Sequence, residues 1–333
     1  MEKRIFGRTL VEVNRLGFGG IPIQRLELSE AIETIRHAVE RGINFIDTAR
    51  GYTISEKYIG YALNKVDRSK LFIATKSMAR SYEDMKNDIE ISLQNLQTSY
   101  IDLYQVHNLT SEKDLDIVLN GAYKALREAK KEGKIKYIGI TSHNYDFLWN
   151  ILDLDLFDSI QFPYNIVENK SKDLFKKAHD LKVGTICMKP LAGGAIDNGL
   201  IAIKYLLNDE NVDVIIPGVS SKVEIDNNIL ASKGEYSLEE KNYIDKITKT
   251  LDNDFCRRCG YCLPCPKGID IPSCFLFEGY YSRYDLKDWA VKRYDSLVHK
   301  ASECVSCGAC IIKCPYNLNI PKKLKEVANV FEK

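Results

Sequence analysis

The stretch Gly42-Ile-Asn-Phe-Ile-Asp-Thr-Ala-Arg-Gly-Tyr52 carries a short apolar segment that ends in polar and aromatic groups. Its apolar part, residues 43–47, predicts a buried strand, and the residues that follow predict a loop. Short apolar runs rich in β-branched residues recur along the first 230 residues. We predict strands at residues 13–17, 43–47, 71–75, 101–107, 136–141, 159–162, 183–188 and 213–217.

Amphipathic helical patterns separate these strands. In residues 29–41 the apolar side chains recur at helical spacing, Ser29 suits the N-cap, and Gly42 suits the first position after the helix. Eight strands, each followed by a helix, predict a (β/α)₈ TIM barrel, an α/β fold whose usual length is about 250 residues.

A doubly wound open sheet is the competing fold. A glycine fingerprint at the first helix would favour that sheet. The sequence offers only Gly17, Gly19 and Gly20, in the order Gly-x-Gly-Gly, and Pro22 follows. We therefore expect the barrel.

The bulk composition excludes several classes of protein. The chain has 333 residues, with 47 basic and 46 acidic side chains. This balance gives no electrostatic basis for binding nucleic acid or an anionic membrane. No stretch approaches the roughly 20 apolar residues of a membrane helix, and residues 1–8 precede no apolar signal core. We expect a cytoplasmic protein.

Four chemically reactive residues follow the second, third and fourth predicted strands. Asp47 closes the second strand, Tyr52 lies in the next loop, Lys76 closes the third strand and His107 closes the fourth. In a barrel, the carboxyl ends of the strands surround one mouth, and active sites lie there. These four side chains are therefore candidate catalytic residues.

Their chemistry suits the reduction of a carbonyl group, which requires a proton for the developing alkoxide. A tyrosine hydroxyl, with an ordinary pKa of about 10, is a poor acid unless its phenolate is stabilised. A neighbouring lysine ammonium stabilises the phenolate, and an aspartate keeps the lysine charged and oriented. A histidine can then donate a hydrogen bond to the carbonyl oxygen.

The motifs Gly-x-Asn-x-x-Asp-Thr-Ala-x-x-Tyr, strand-end Lys76 and Asp-Leu-Tyr-x-x-His resemble the aldo-keto reductase superfamily over residues 1–230. The resemblance implies an oxidoreductase that interconverts a small carbonyl and an alcohol by hydride transfer. It implies NADP or NAD, bound without a Rossmann fold, and Tyr52 as the proton donor. The implied catalytic tetrad is Asp47, Tyr52, Lys76 and His107.

The same resemblance assigns contacts with the nucleotide. Thr141 and Ser142 match the family's carboxamide-binding pair, and Gln161 matches its carboxamide-binding glutamine. Met188 stands where many members stack an aromatic ring on the nicotinamide. The remaining implied contacts lie in the loop after strand seven and in the adenosine-phosphate segment, namely Lys189, Gly193, Gly194, Gly218, Ser220, Ser221, Lys222, Glu224 and Asn228.

The choice between NADP and NAD depends on the last segment. Gly218 and Glu224 occupy positions where NADP-preferring relatives often place Lys and Arg. A carboxylate repels a 2′-phosphate and can instead accept hydrogen bonds from a ribose diol. Lys222 could still contact a phosphate, so the sequence leaves both nucleotides open.

Nine of the ten cysteines follow residue 255, and eight of these nine form two motifs of four. The second is the bacterial ferredoxin run, and the first has one residue fewer before its fourth cysteine. In two-cluster ferredoxins the fourth cysteine of each run binds the other cluster. The spacing thus predicts two [4Fe–4S] clusters, one held by Cys256, Cys259, Cys262 and Cys314, the other by Cys304, Cys307, Cys310 and Cys265.

Two Cys₄ zinc sites are the rival interpretation, although zinc ribbons usually separate their Cys-x₂-Cys pairs by a longer loop. Cys187 and Cys274 fit neither motif, and we expect them to be buried small apolar residues. The composition predicts a barrel domain at residues 1–250 and a ferredoxin-type domain at 251–333. The spacer 266–303 looks helical, and Cys259-Gly-Tyr-Cys-Leu-Pro-Cys-Pro266 resembles the tail of one aldo-keto reductase branch.

Two functions fit these two halves. The first is an NAD(P)-dependent carbonyl reductase whose clusters are structural, redox-sensing or a docking point for a ferredoxin- or flavodoxin-like electron carrier. The second is an electron-transfer protein whose barrel is a binding scaffold. A complete tetrad favours the enzyme. Nicotinamide moves two electrons as hydride whereas a cluster accepts one, and the sequence contains no flavin motif that would mediate between them.

Overall fold

The computed structural model describes residues 1–251, 256–258, 260–314 and 316–332. The chain divides into two compact units. The first comprises Met1–Leu191 and Asn198–Glu235, and the second comprises Ala192–Asp197 and Tyr236–Lys333. The boundary near residue 250 stays a prediction from composition.

The first unit is a parallel barrel. Its strands pair in chain order, and bridges between Leu16 and Ile215 and between Gly19 and Gly218 join the last strand to the first. This arrangement confirms the predicted TIM barrel. The eight strands are β3 (Phe18–Gly19), β4 (Phe45–Asp47), β5 (Phe72–Ser77), β6 (Ile101–Val106), β7 (Ile135–Thr141), β8 (Ser159–Pro163), β9 (Gly184–Met188) and β10 (Val214–Ile216).

Helices connect the barrel strands and cover their outer faces. Strands β5 and β6 are buried along their whole length, as parallel strands between a filled interior and a helical layer must be. The connecting helices are α1 (Leu28–Glu40), α2 (Ser55–Leu63), α3 (Tyr82–Leu96), α4 (Glu112–Asn120), α5 (Ala122–Lys131), α6 (Tyr145–Ile151), α7 (Ser171–Asp180), α8 (Gly199–Leu207) and α9 (Lys222–Ile229).

The predicted first strand at residues 13–17 is wrong. Two strands, β1 (Lys3–Ile5) and β2 (Glu12–Asn14), form an antiparallel hairpin instead. The hairpin brings Phe6 and Val13, both fully buried, onto the apolar side chains that fill the barrel interior. The apolar signal near residue 13 therefore comes from this packing and not from a barrel strand.

The true first strand, β3, spans two residues and is tightly enclosed. A Cβ atom on Gly19 would lie 2.7 Å from the carbonyl oxygen of Pro217, and one on Gly17 would lie 3.0 Å from Val214. Side chains here would push β3 away from β10. The Gly-x-Gly-Gly sequence thus permits barrel closure.

The predicted N-cap of α1 is also wrong. The helix begins at Leu28, and Glu27, with extended backbone (φ −67°, ψ 152°), occupies the cap position without a side-chain hydrogen bond. Ser29 therefore lies inside the first turn. Gly42 follows the helix with φ +92°, as expected for a residue after a helix end.

The described part of the second unit is mostly helical and has its own apolar core. Short 3₁₀ helices occur in both units. Those of the first unit lie at Gly7–Thr9, Pro22–Arg25, Arg68–Lys70 and Leu152–Leu154, and the one in the described part of the second unit lies at Ala301–Glu303. Among the described residues, no helix combines the length and apolar character needed to cross a membrane. The second unit contains α10 (Leu238–Leu251), α11 (Ile271–Ser282), α12 (Lys287–Asp295), α13 (Ala309–Lys313) and α14 (Ile320–Phe331).

Candidate functional site

The carboxyl ends of β4, β5 and β6 bring together the four candidate catalytic residues. Asp47 is the last residue of β4, Lys76 is the penultimate residue of β5, and His107 directly follows β6. Tyr52 lies in the loop between β4 and α2. Because parallel strands all end at the same mouth, residues far apart in sequence become neighbours there.

Asp47 and Lys76 form a buried ion pair. The Lys76 Nζ atom donates to Asp47 Oδ2 at 2.6 Å and to the carbonyl oxygen of Thr48 at 2.8 Å. Both charged side chains are almost fully buried, at 3% and 1% exposure. Burial raises the pKa of the Asp47 carboxyl and lowers the pKa of the Lys76 ammonium, and the attraction between the two charges opposes both shifts.

Tyr52 and His107 complete this group and are only half-buried. The Lys76 Nζ atom lies 5.1 Å from the centroid of the Tyr52 ring. The Tyr52 and His107 rings meet edge to face, with centroids 6.2 Å apart. Tyr52 and His107 are thus partly accessible, while the ion pair of Asp47 and Lys76 is shielded from water.

Gln105 of β6 is a site residue that the sequence analysis missed. Its Nε2 atom donates to Gln161 Oε1 at 3.0 Å and lies 3.5 Å from Asp47 Oδ1. The Oε1 atom of Gln105 is buried and has no hydrogen-bond partner among the described residues. A polar residue at an inward position of an otherwise apolar strand is the signal that could have found it.

Thr141 and Ser142 lie at the end of β7, next to this group. Each hydroxyl oxygen accepts one backbone N–H, from Asn108 at 2.8 Å and from Asn144 at 3.0 Å respectively. A hydroxyl has one O–H donor in addition to its acceptor sites. Each of these two residues therefore keeps a donor with which it can bind a ligand.

The predicted adenosine-phosphate segment forms the N-terminus of α9. Ser221 caps the helix by accepting from the Glu224 N–H at 3.2 Å. The Glu224 carboxylate accepts from the Ser220 N–H at 2.7 Å and from the Ser220 hydroxyl at 3.1 Å. The Arg25 guanidinium, absent from the sequence prediction, donates to the Ser220 hydroxyl.

Several other predicted nucleotide contacts are spread over the ends of β9 and β10. Met188 ends β9 and Lys189 follows it with φ +56°, while Gly218 lies exposed after β10 and Asn228 lies within α9. Lys222 points to Glu33, with 2.8 Å between Nζ and Oε2. Two more predicted contacts belong to the second unit, Gly193 and Gly194, whose φ angles are +68° and +85°.

Three predicted cluster ligands of the second unit line one pocket. Cys256, Cys262 and Cys314 are among the residues that line it. The rest of the lining includes the buried apolar side chains of Ile271 and Leu318, each 1% exposed, and two arginines, Arg257 and Arg258. The fourth predicted ligand, Cys259, lies outside the described residues. Cys256 and Cys262 belong to the first motif and Cys314 belongs to the second. This combination is expected if each cluster takes ligands from both motifs.

The other predicted set also lies together. Burial raises the pKa of the Cys310 thiol, and Cys304, Cys307 and Cys265 lie close enough to raise it further. In the part of the chain that the structure describes, no three His, Cys, Asp or Glu side chains form a site for a single metal ion. The two cysteines outside the motifs are fully buried, as predicted, namely Cys187 and Cys274.

The buried Asp–Lys pair and the partly accessible tyrosine and histidine lie at the carboxyl ends of the barrel strands. Active sites of barrel enzymes lie at this end. Residues 15–200 match the model of the aldo/keto reductase family. The chain therefore belongs to the aldo/keto reductase family of oxidoreductases. Residues 255–319 match a 4Fe-4S dicluster domain, which establishes the class of the cysteine-rich region.

Curated relatives and solved structures agree with this membership. L-galactose dehydrogenase from Arabidopsis thaliana is 28% identical to this chain, and the match covers 69% of this chain and 88% of that protein. NADH-specific methylglyoxal reductase from Escherichia coli is 29% identical over 62% of this chain and 72% of that protein. The holo form of aldo-keto reductase AKR11C1 from Bacillus halodurans superposes with a TM-score of 0.65 at 26% identity, covering 74% of this chain and 96% of that one.

Replacing Asp47 with Asn tests how much the buried pair contributes to the free energy of unfolding. The substitution leaves the Lys76 ammonium buried without its counter-charge. We expect the free energy of unfolding to fall by about 3–5 kcal/mol, measured by urea denaturation at pH 7. The matched control is Glu12→Gln, which removes a pair with Lys3 in which both side chains are 55% exposed, and it should change almost nothing. Equal effects of the two variants would contradict the expectation.

Proposed function

We propose that the protein interconverts a small carbonyl compound and its alcohol, with Tyr52 as the proton donor and a nicotinamide dinucleotide as the cofactor. The observation that carries this proposal is the position of the Lys76 ammonium, which lies between the Asp47 carboxylate and the Tyr52 ring. A tyrosine beside a buried cation releases its proton more readily than one in water.

Each residue of the tetrad has a defined task in this proposal. Tyr52 donates its hydroxyl proton to the carbonyl oxygen, and the Lys76 ammonium stabilises the resulting phenolate. Asp47 keeps Lys76 charged and fixes its direction. His107 donates a hydrogen bond to the carbonyl oxygen and orients the substrate. When bound, the nicotinamide supplies the hydride, or accepts it in the reverse direction.

The residues near the tetrad suit a carboxamide. Gln161, Thr141 and Ser142 offer donors and acceptors at the ends of β7 and β8, and the unpartnered Oε1 atom of Gln105 lies beside Gln161. Buried polar atoms are normally hydrogen-bonded, so an unpartnered acceptor points to a polar ligand at this place. These residues would hold the nicotinamide head group.

We further propose that NADH is preferred to NADPH. The carboxylate of Glu224 lies at the first turn of α9 and holds both donors of Ser220. A negative charge here repels a 2′-phosphate, while the Lys222 ammonium is paired with Glu33. The similarity to an Escherichia coli protein named as NADH-specific supports this preference.

Tyr52→Phe tests the proton donor. The variant keeps the ring but lacks the hydroxyl, so we expect kcat for carbonyl reduction to fall about a hundredfold or more. Binding of NADH, followed by quenching of protein fluorescence, should be unchanged. Tyr61→Phe serves as the control, because Tyr61 is an exposed tyrosine of α2. Undiminished reduction by Tyr52→Phe would show that the tetrad mechanism is wrong.

Glu224→Arg tests the nucleotide preference. An arginine attracts a 2′-phosphate, so the ratio of kcat/KM with NADPH to kcat/KM with NADH should rise about tenfold. Glu83→Arg makes the same charge change in the first turn of another helix, α3, and the ratio should then stay constant. A wild-type enzyme that already prefers NADPH would refute the proposed preference.

We also propose that the second unit holds two [4Fe–4S] clusters, each with ligands from both motifs. The pocket lined by Cys256, Cys262 and Cys314 supports one set, and the proximity of Cys265 to Cys310 supports the other. Thiolates are the ligands that such clusters require. Cys262 and Cys310 lie in the apolar core of the unit, so the clusters would stabilise its fold. Four more motif cysteines pack against this core, namely Cys256, Cys265, Cys304 and Cys314.

Pairs of Cys→Ser substitutions distinguish shared ligands from separate ones. Anaerobically purified protein should contain about eight iron and eight sulfide per chain. With shared ligands, the double variant of Cys256 and Cys314 disrupts one cluster, and that of Cys304 and Cys314 disrupts both. Separate clusters would give the reverse result. Cys274→Ser is the control that keeps all the iron, and zinc without sulfide would defeat the cluster assignment.

A further inference from the structure

A cluster of charged groups lies on the outer face of β5, behind the candidate catalytic lysine. Side chains alternate along a strand, so Thr75 and Ser77 point away from the barrel interior that receives Lys76. The Thr75 hydroxyl donates to Glu56 Oε1 at 2.8 Å, and the Ser77 hydroxyl donates to the Asp88 carboxylate. Both chain neighbours of Lys76 are therefore held by carboxylates.

Arg50 joins these two carboxylates. Its Nη1 atom lies 3.0 Å from Glu56 Oε2 and its Nε atom lies 3.3 Å from Asp88 Oδ1. Arg50 belongs to the loop that carries Tyr52, and its own N–H donates to the Lys76 carbonyl oxygen at 3.0 Å. One residue thus connects the loop of the proton donor to the strand of the lysine.

The surroundings make this connection rigid. Glu56 is only 2% exposed and also accepts hydrogen bonds from Ser92 at 2.8 Å and from Asn95 at 3.1 Å, both on α3. A charged network with satisfied partners and little water has few alternative arrangements. Burial lowers the pKa of the Lys76 ammonium, and the negative charge of Glu56 opposes this fall.

We propose that Arg50 is a positioning residue, which fixes the separation of Tyr52 and Lys76 by anchoring their loop and strand to Glu56 and Asp88. The inference rests on the proposed function, in which the Lys76 ammonium stabilises the deprotonated Tyr52. That attraction weakens with distance, and small displacements of reacting groups have large effects on rate. Arg50 does not contact the substrate in this role.

Three variants test the role of Arg50. Arg50→Met keeps the length of the side chain and removes its charge, whereas Arg50→Lys keeps the charge but cannot form the forked pair with both carboxylates. The matched control is Arg68→Met. Arg68 is 20% exposed, close to the 22% of Arg50, and pairs with Asp102 at 2.6 Å near the opposite end of β5.

We expect Arg50→Met to lower kcat about tenfold, with the dissociation constant of NADH changed less than about twofold. A weaker attraction makes the Tyr52 proton dissociate at higher pH, so the alkaline limb of the kcat profile for reduction should move up by about one pH unit. Arg50→Lys should restore part of both effects. Arg68→Met should lower the melting temperature and leave the pH profile unchanged. If the pH profile of kcat in Arg50→Met were the same as that of the wild-type enzyme, Arg50 would have only a structural role. This result would overturn the proposal.

A measurement without activity separates this proposal from the proposed function. In the full chain labelled with ¹³Cζ-tyrosine, the signal that is missing from Tyr52→Phe belongs to Tyr52, and its titration midpoint can be followed by NMR. A midpoint raised by about one pH unit in Arg50→Met supports the positioning role, and an unchanged midpoint overturns it. Full carbonyl reduction by Tyr52→Phe would refute the proposed function alone.

Discussion

The buried ion pair between Asp47 and Lys76 is the interaction on which the candidate site depends. Neither charge is stable by itself in a medium from which water is excluded, because desolvation costs each ion several kcal/mol. Only a scaffold that holds both atoms at 2.6 Å can keep them there. The barrel meets this condition because β4 and β5 are adjacent parallel strands whose positions are fixed by pairing along both edges.

The same pair explains why so many polar groups surround the mouth of the barrel. Gln105 lies near Asp47 on the inner side, and Glu56 acts on Lys76 from the outer side. Each of these groups has its own partners, so the charge is spread through a connected set of hydrogen bonds. The site is therefore prepared before a substrate arrives, and little reorganisation remains for the reaction itself.

The sequence predicted the parts of the fold that leave a long or chemically distinctive pattern. Strands β4 to β10 were placed within about two residues, because each is a buried and largely apolar run. The two-residue strand β3 is too short to give a recognisable pattern. The apolar residues of the hairpin near Val13 gave instead the pattern expected of a barrel strand. Arg50 escaped prediction because its importance arises from partners on two helices, which no local motif reveals. Gln105 left a single weak signal, a polar residue at an inward strand position.

The two units achieve stability by different means. The barrel buries a large continuous apolar core, and burial of this apolar surface is the main source of its stability. The second unit is smaller, and cysteines from both motifs lie in its core. Small domains bury less apolar surface per residue and often rely on metal centres. If each cluster takes ligands from both motifs, one cluster closes the loop between residues 262 and 314 and the other closes the loop between residues 265 and 304. The entropy of these loops is lost when the clusters form. Assembly of the clusters and folding of this unit would then be a single thermodynamic event.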